Sequence, residues 1–275
     1  MLALDIDGTL LNSAGEITPR VREAVAGVMR AGILVTLATG RNLRGTLPIA
    51  EALQITAPMV LSNGCVVMHP ITRQVLFHKH LEASVAGRAV LLLQRLGLTA
   101  YASRLSLSGP EFFYQEPPSS PEIDLRRGRR PDSMQQVADL AAAAVQFKAL
   151  KVMTLDRADV VAEAAQYLRK HLGGECQVLV TDEAGGSALL EVSAQGVNKA
   201  TGLAQLAALH KIRPAEIIAI GDNRNDLEML QFAGLGVAMG NASDEVKEAA
   251  QVVTASNDAD GVACFLETHV LRAAS

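Results

Sequence analysis

The chain has 275 residues, 49% of them apolar, enough for one large domain or two modest ones with a buried core. Its 25 basic and 29 acidic side chains leave a formal charge of −4, which excludes the overall basic field that draws a protein to nucleic acid or anionic lipid. The N-terminus has no basic run followed by an apolar stretch, and no window approaches about 18 uncharged apolar residues, so neither export nor membrane spanning is expected.

The opening reads as strand, loop, helix, strand. Residues 1–6 form a short apolar run, and Thr18 and Pro19 supply an N-cap and a first-turn proline for a helix carrying Val21, Val25, Val28 and Met29, closed by Gly32. Residues 33–38 are almost wholly apolar, as in a parallel strand covered by helices on both faces. A helix over about 44–53 and a third strand at 59–62 complete βαβ units, expected to be right-handed. The middle differs. A helix with Val85, Ala89, Leu92 and Leu96, strands near 112–114, 147–155 and 178–181, and a helix over 158–172 predict an inserted α+β module with antiparallel pairing. The opening pattern returns with a strand at 217–220, a helix over 225–232, a short strand at 236–238 and a helix from Ser243. The fold class is therefore α/β: a doubly wound parallel-sheet core at 1–82 and 192–275, with an inserted α+β cap domain at 83–191.

Cys65, Cys176 and Cys264 are far apart, odd in number and in no C-x-x-C pairing, which fits buried reduced thiols and a cytoplasmic location. His78 and His80 would share a strand face, but without a third nearby ligand they read as surface or packing residues. The Pro-rich and then basic stretch at 117–131, with Arg126, Arg127, Arg129 and Arg130, reads as a solvated loop or a phosphate-attracting rim. Its arginines lack the interleaved aromatics of a nucleic-acid surface.

Four clusters carry chemistry. Asp5-Ile6-Asp7-Gly8-Thr9 ends the first strand. Strand alternation sends both carboxylates to one face, about 6–7 Å apart along the chain, and Gly8 lets the backbone turn sharply. Ligands bind at the carboxyl ends of strands in open parallel sheets, and two carboxylates there repel unless they share a cation or a proton. That suits one nucleophile on a metal ion and one acid/base; a solvated turn is the plain alternative. Thr39-Gly40-Arg41 follows the second strand and offers a hydroxyl, backbone N–H groups and a helix start to a phosphate, or simply a turn and a cap. Lys199 opens a helix with Leu203, Leu206 and Leu209; there it opposes the helix dipole, so a nearby anion explains it better than helix stability, a solvated lysine being the alternative. Gly221-Asp222-Asn223-Arg224-Asn225-Asp226 follows the strand at 217–220. Asp222 and Asp226 suit a hard cation such as Mg²⁺ at a site begun by Asp5, or else a turn that caps a helix. Each cluster is ambiguous alone, yet all four fall at core strand ends or at helix starts beside them.

In these four ordered clusters the sequence closely resembles the haloacid dehalogenase superfamily of phosphohydrolases. The stretches Ser62-Asn63-Gly64 and Gly234-Leu235-Gly236-Val237-Ala238-Met239-Gly240-Asn241-Ala242 look like its Cof-type branch. That branch has a Rossmann-like core with a cap inserted after the third strand. The spacing agrees, since only a loop and one helix fit between Thr9 and Thr36. Only four residues precede Asp5, fewer than this family usually has, so the first strand is expected to be short.

The resemblance implies Asp5 as nucleophile, Asp7 as acid/base, and Mg²⁺ held by the Asp5 carboxylate, the Asp7 backbone carbonyl and Asp222, with Asp226 as a ligand or just behind one. By the same resemblance Lys199, Thr39 and Asn225 surround the phosphoryl oxygens, and Gly40, Arg41 and Asn63 join the phosphate-binding set. The implied activity is Mg²⁺-dependent hydrolysis of a small phosphorylated metabolite, such as a sugar, nucleotide or cofactor phosphate, with neither nucleic acid nor membrane as partner. A phosphomutase of the same superfamily and a non-catalytic phosphometabolite-binding protein stay open as alternatives. A receiver-type phosphoacceptor module fits poorly: its acidic pair would be adjacent, its acceptor would sit on a later strand, and it needs no insert. For the leaving group, the candidates in the insert are residues 111–114, the arginines of 126–130, and 182–187, where Gly185-Gly186 permits a close turn.

Overall fold

The computed structural model describes residues 1–115, 131–182 and 184–272, so the arginines of 126–130 and Glu183 lie outside the described residues. Two compact units emerge, Met1–His78 with Asn198–Ser275, and Lys79–Val197.

The first unit opens with β1 (Leu2–Leu4), α1 (Pro19–Arg30), β2 (Val35–Leu37), α2 (Leu43–Ala52), β3 (Met59–Leu61), β4 (Val66–Met68) and β5 (Val75–His78). In the second unit follow α3 (Ala83–Arg95), β6 (Tyr101–Ser103), β7 (Phe112–Tyr114), β8 (Met134–Gln136), α4 (Leu140–Gln146), β9 (Lys151–Arg157), α5 (Ala158–Leu172), β10 (Cys176–Asp182) and β11 (Ser187–Ala194). The chain then returns to the first unit with α6 (Lys199–Leu209), β12 (Ile218–Gly221), α7 (Leu227–Phe232), β13 (Leu235–Ala238), α8 (Asp244–Ala249), β14 (Val252–Val253) and α9 (Gly261–Phe265).

The core sheet is parallel, in the order β14-β13-β12-β1-β2, with Leu4 paired to Ile220 on one side and to Leu37 on the other. Strands from the two ends of the sequence are thus immediate neighbours. Helix α1 starts where Thr18 accepts the Val21 N–H, with Pro19 in its first turn, and it buries Val21, Ala24, Val25 and Val28. Leu203 and Leu206 of α6 pack with Ala3, Val60, Ala219, Met229 and Leu230 in one cluster. Burying each large aliphatic side chain contributes roughly 1.5–3 kcal/mol before chain entropy is counted.

The third strand departs from expectation. Instead of a full parallel neighbour of β2, β3 pairs antiparallel with β4 in a small sheet β3-β4-β5, and a single parallel bridge, Ala38 to Val60, ties it to the core. Ser62, Asn63 and Gly64 all take positive φ, so the chain reverses at once and returns as β4.

The second unit is a six-stranded sheet, β10-β11-β9-β6-β7-β8. Its pairs are antiparallel as expected, except that β7 and β8 run parallel. Helices α3, α4 and α5 cover one face, burying Val85, Leu93, Leu140, Val161 and Leu168 with Val152, Leu190 and Val192 of the sheet. The strand expected at 147–155 is shifted, because Phe147 closes α4 and Lys148 turns left-handed at φ 55°, so extended backbone begins only at Lys151. The unit also runs wider than 83–191, since β11 continues to Ala194 and a boundary at 191 would cut it. Among the described residues, no helix is long and apolar enough to cross a membrane. The three cysteines form no disulfide; Cys65 and Cys176 are buried and Cys264 is partly exposed.

Candidate active site

Asp5 follows β1 directly, and its N–H bonds to the Ile220 carbonyl of β12 at 3.0 Å. Asp222 follows β12. Two adjacent parallel strands therefore deliver two carboxylates to the same sheet edge, at their carboxyl ends. The Asp222 carboxylate lies directly against Gly8, which sits at φ 76°; a Cβ there would lie 2.2 Å from Asp222 Oδ2. Thr9 Oγ1 donates to Asp222 Oδ1 at 2.8 Å. Asn241 Nδ2 donates to the Gly8 carbonyl at 2.9 Å and reaches Asp222 Oδ2 at 3.5 Å.

Lys199 is the first residue of α6 and has no exposed surface. The helix start is fixed by a reciprocal cap, in which Asn198 Oδ1 accepts the Thr201 N–H at 2.9 Å and Thr201 Oγ1 accepts the Asn198 N–H at 2.7 Å. Gly202 lets α6 lie close to β3, since a Cβ there would stand 2.4 Å from Val60 Cγ1. From this fixed origin Lys199 Nζ donates to Asp5 Oδ1 at 2.7 Å and to Asp226 Oδ1 at 2.6 Å. The anion that explains a lysine at this helix start is a pair of carboxylates. Asp226, equally buried, accepts the N–H groups of Asp222 and Asn223 on its other oxygen, both at 3.0 Å.

One ammonium faces three carboxylates. Burial pushes Asp5 well above the usual carboxylate range, with Lys199 pulling it down and the charges of Asp226 and Asp222 pushing it up. Asp222 is pushed up to about 7, first by burial and then by Asp226, against the Thr9 hydrogen bond and Lys199. For Lys199, burial works against the charged form, but Asp226 and Asp5 outweigh it and hold the ammonium above its ordinary value. The pocket carries more buried negative charge than its protein cation balances. Asp5, Asp222 and Asp226 each offer one oxygen, all within 4.8 Å of one another, a donor set of hard oxygens that fits a divalent cation.

The Asp7 side chain is 61% exposed, whereas that of Asp5 is 6% exposed. Alternation holds only inside a strand, and β1 ends at Leu4; beyond it Leu10 and Leu11 donate to the Ile6 carbonyl in a tight turn. Arg41 grips Asp7 with a two-point fork, Nε to Oδ2 at 2.7 Å and Nη2 to Oδ1 at 2.5 Å, while its Nη1 donates to the Gly45 carbonyl at 3.1 Å. Thr39, buried, accepts the Arg41 N–H on Oγ1 at 3.1 Å. Gly40 lies against Asn63, whose Oδ1 a Cβ at Gly40 would meet at 3.1 Å, and Asn225 Nδ2 donates to Asn63 Oδ1 at 3.0 Å. Thus the carboxylates of Asp5, Asp222 and Asp226 gather on Lys199, Arg41 stands on Asp7, and Asn63 stands on Asn225.

Two supporting residues had no assigned role in the sequence reading. Thr9 and Asn241 position Asp222, and the signal for both was their place inside the motif stretches quoted for the resemblance.

A family model for haloacid dehalogenase-like hydrolases matches residues 2–266. The 5-amino-6-(5-phospho-D-ribitylamino)uracil phosphatase YwtE of Bacillus subtilis is 31% identical over 97% of this chain and 96% of its own. The pyridoxal phosphate phosphatase YbhA of Escherichia coli is 29% identical over 98% of each chain. A haloacid dehalogenase-like hydrolase from Bacteroides thetaiotaomicron superposes with a TM-score of 0.81 at 28% identity, over 97% of both chains. The chain belongs to the haloacid dehalogenase-like hydrolases, in the Cof-type branch, and is a phosphatase of that superfamily.

Proposed function

We propose that the chain is a Mg²⁺-dependent phosphatase that hydrolyses a small organic phosphomonoester through an aspartyl-phosphate on Asp5. What carries the reading is the Asp5 carboxylate: buried at a strand end, bonded to a buried Lys199 at 2.7 Å, and grouped with two further carboxylates. A metal site with one carboxylate hydrogen-bonded to an ammonium is costly as scaffolding and suited to phosphoryl transfer, where positioning and charge compensation do most of the work.

Asp5, Asp222 and the backbone carbonyl of Asp7 would hold Mg²⁺. The ion would supply charge neutralisation for the phosphoryl oxygens. Asp226, with its oxygens already accepting from Lys199 and from two backbone N–H groups, serves chiefly to hold Lys199 and the Asp222 loop. Asp5 attacks phosphorus in line as the bond to the leaving oxygen breaks, and protonated Asp7 gives that oxygen its proton. Asp7 then takes a proton from water, whose oxygen attacks phosphorus; the bond to Asp5 breaks and inorganic phosphate leaves. The exposure of Asp7 supports this division of labour, since an acid/base must meet both leaving group and water. The Arg41 fork orients it, and Thr39, Gly40, Asn225 and Lys199 compensate the phosphoryl charge.

The unit at Lys79–Val197 acts as the substrate-selecting cap, a role suggested by its insertion between the two halves of the core. Three cysteines with no disulfide among them suit a reducing cytoplasm. Sugar, nucleotide and cofactor phosphates are the substrate classes to test, with 5-amino-6-(5-phospho-D-ribitylamino)uracil and pyridoxal phosphate among them because relatives act on those. A phosphate-release screen over such compounds should find at least one turned over with Mg²⁺ and none with EDTA. Turnover undiminished by EDTA, or a clean mutase product with no free phosphate, contradicts the proposal.

A further inference from the structure

The turn Ser62-Asn63-Gly64 is unusual in the backbone it adopts. Three consecutive residues take left-handed φ, of 52°, 55° and 91°, and two of them carry a Cβ. Non-glycine residues hold such values only where surrounding contacts over-determine them, and asparagine tolerates them best. Here three neighbours do so. The Ser62 N–H bonds to the Arg41 carbonyl at 2.9 Å and the Asn63 N–H to the Thr39 carbonyl at 3.0 Å. Gly64 lies so close to the capping residue of α6 that a Cβ would fall 1.9 Å from the Asn198 carbonyl oxygen. The turn therefore touches the Thr39 loop and the start of the helix that bears Lys199, and through its amide it reaches a third segment at Asn225.

That last contact leaves something unfinished. Asn63 is buried and its Oδ1 accepts from Asn225 Nδ2 at 3.0 Å, while Asn225 Oδ1 is buried with no hydrogen-bond partner. Burying a polar atom unpaired is costly, so this atom of Asn225 asks for a partner. Amide nitrogen and oxygen exchange places when the group turns by half a revolution, so reversing both amides keeps the Asn63–Asn225 bond and puts the NH₂ of Asn225 where the unpaired oxygen stands. At that position, next to Asp226 in the phosphoryl-transfer motif, a donor fits an anion and a carbonyl does not.

We infer that Asn63 is a positioning residue rather than a phosphate ligand: from its left-handed turn it donates to the Asn225 carbonyl and thereby aims the Asn225 NH₂ at the phosphoryl oxygens. This deepens the phosphatase reading and rests on it.

The test is a double-mutant cycle on the full chain with Mg²⁺, read by the affinity for inorganic phosphate, by kcat/KM for a turned-over phosphomonoester, and by Tm. Asn63→Gly keeps the left-handed backbone and removes the amide. Asn225→Ala removes the proposed contact. Each should weaken phosphate binding and lower kcat/KM by about 10- to 100-fold, the worth of a hydrogen bond to a charged group. Because the two act as one unit, the double variant should lose no more than Asn225→Ala alone. Asn63→Asp, which accepts left-handed backbone and cannot donate when ionised, should be at least as damaging as Asn63→Gly. Losses that add in the double variant, or wild-type phosphate affinity in either Asn63 variant, overturn the inference while leaving wild-type turnover intact. Failure of the phosphatase reading itself shows elsewhere, as absence of Mg²⁺-dependent phosphate release by the unaltered chain.

Discussion

At the scale of single residues, the site is defined by a charge imbalance. Lys199 bonds one oxygen each of Asp5 and Asp226, whereas Asp222 feels that ammonium only at longer range and takes its hydrogen bonds from the neutral side chains of Thr9 and Asn241. The folded value of Asp222, about 7, lies above its ordinary 3.8, so folding favours the protonated form. In the metal-free chain that contribution to stability is fully present below about pH 3.8 and is lost as pH rises through about 7, the reverse of a carboxylate held in an ion pair. At pH 8 the charged group then costs on the order of a few kcal/mol, which a bound cation offsets. Accordingly Mg²⁺ should raise Tm more at pH 8 than at pH 5. Asp222→Asn should raise the metal-free Tm at pH 8 while abolishing the Mg²⁺ shift. A Mg²⁺ shift of wild-type size in Asp222→Asn removes that residue from the metal site. None of this imbalance was legible in the sequence beyond the presence of the carboxylates, because burial and partner geometry create it.

At the scale of elements, turns rather than strands decide the site. The adjacency of β1 and β12 places Asp5 and Asp222 on one edge, and Gly8 leaves room for the Asp222 carboxylate against the turn after β1. Gly8→Ala combines a left-handed backbone at φ 76° with a Cβ 2.2 Å from Asp222 Oδ2, so it should lower Tm by the equivalent of about 1–3 kcal/mol and cut kcat/KM by about 100-fold or more. Activity within a factor of two of wild type would show that the turn does not set the carboxylate spacing. The core was readable where periodicity and caps are strong: Thr18 and Pro19 announced α1, and the apolar runs at 33–38 and 217–220 announced β2 and β12. It was not readable at β4 and β5, which are as short as β2 and β12 but lie in antiparallel pairs outside the alternation of strand and helix that marked those two. The spacing of Asp5 and Asp7 is set by a turn and not by strand alternation, because β1 ends at Leu4.

At the scale of the molecule, an α/β chain is interrupted by a second unit with its own sheet and its own helical layer. The interruption was visible as a change of pattern, and the helix Ala158–Leu172 was read with its full bounds. The contents of the insert were much less legible. Its sheet carries a fully formed ion pair between Lys151 of β9 and Glu191 of β11, both buried, and nothing in the local sequence distinguishes these two residues from solvated charges. The core site was legible for the opposite reason: its residues recur in short, ordered motifs at strand ends, and a parallel sheet folds those ends onto one edge. The proposed chemistry therefore rests on Asp5 more than on any other side chain. Measuring Mg²⁺-dependent phosphate release by Asp5→Asn, on the substrate that the unaltered chain turns over fastest, tests this directly. The variant should keep its fold and Tm within a few degrees while turnover falls to background; more than about 1% of wild-type turnover would contradict the assignment of Asp5 as the nucleophile.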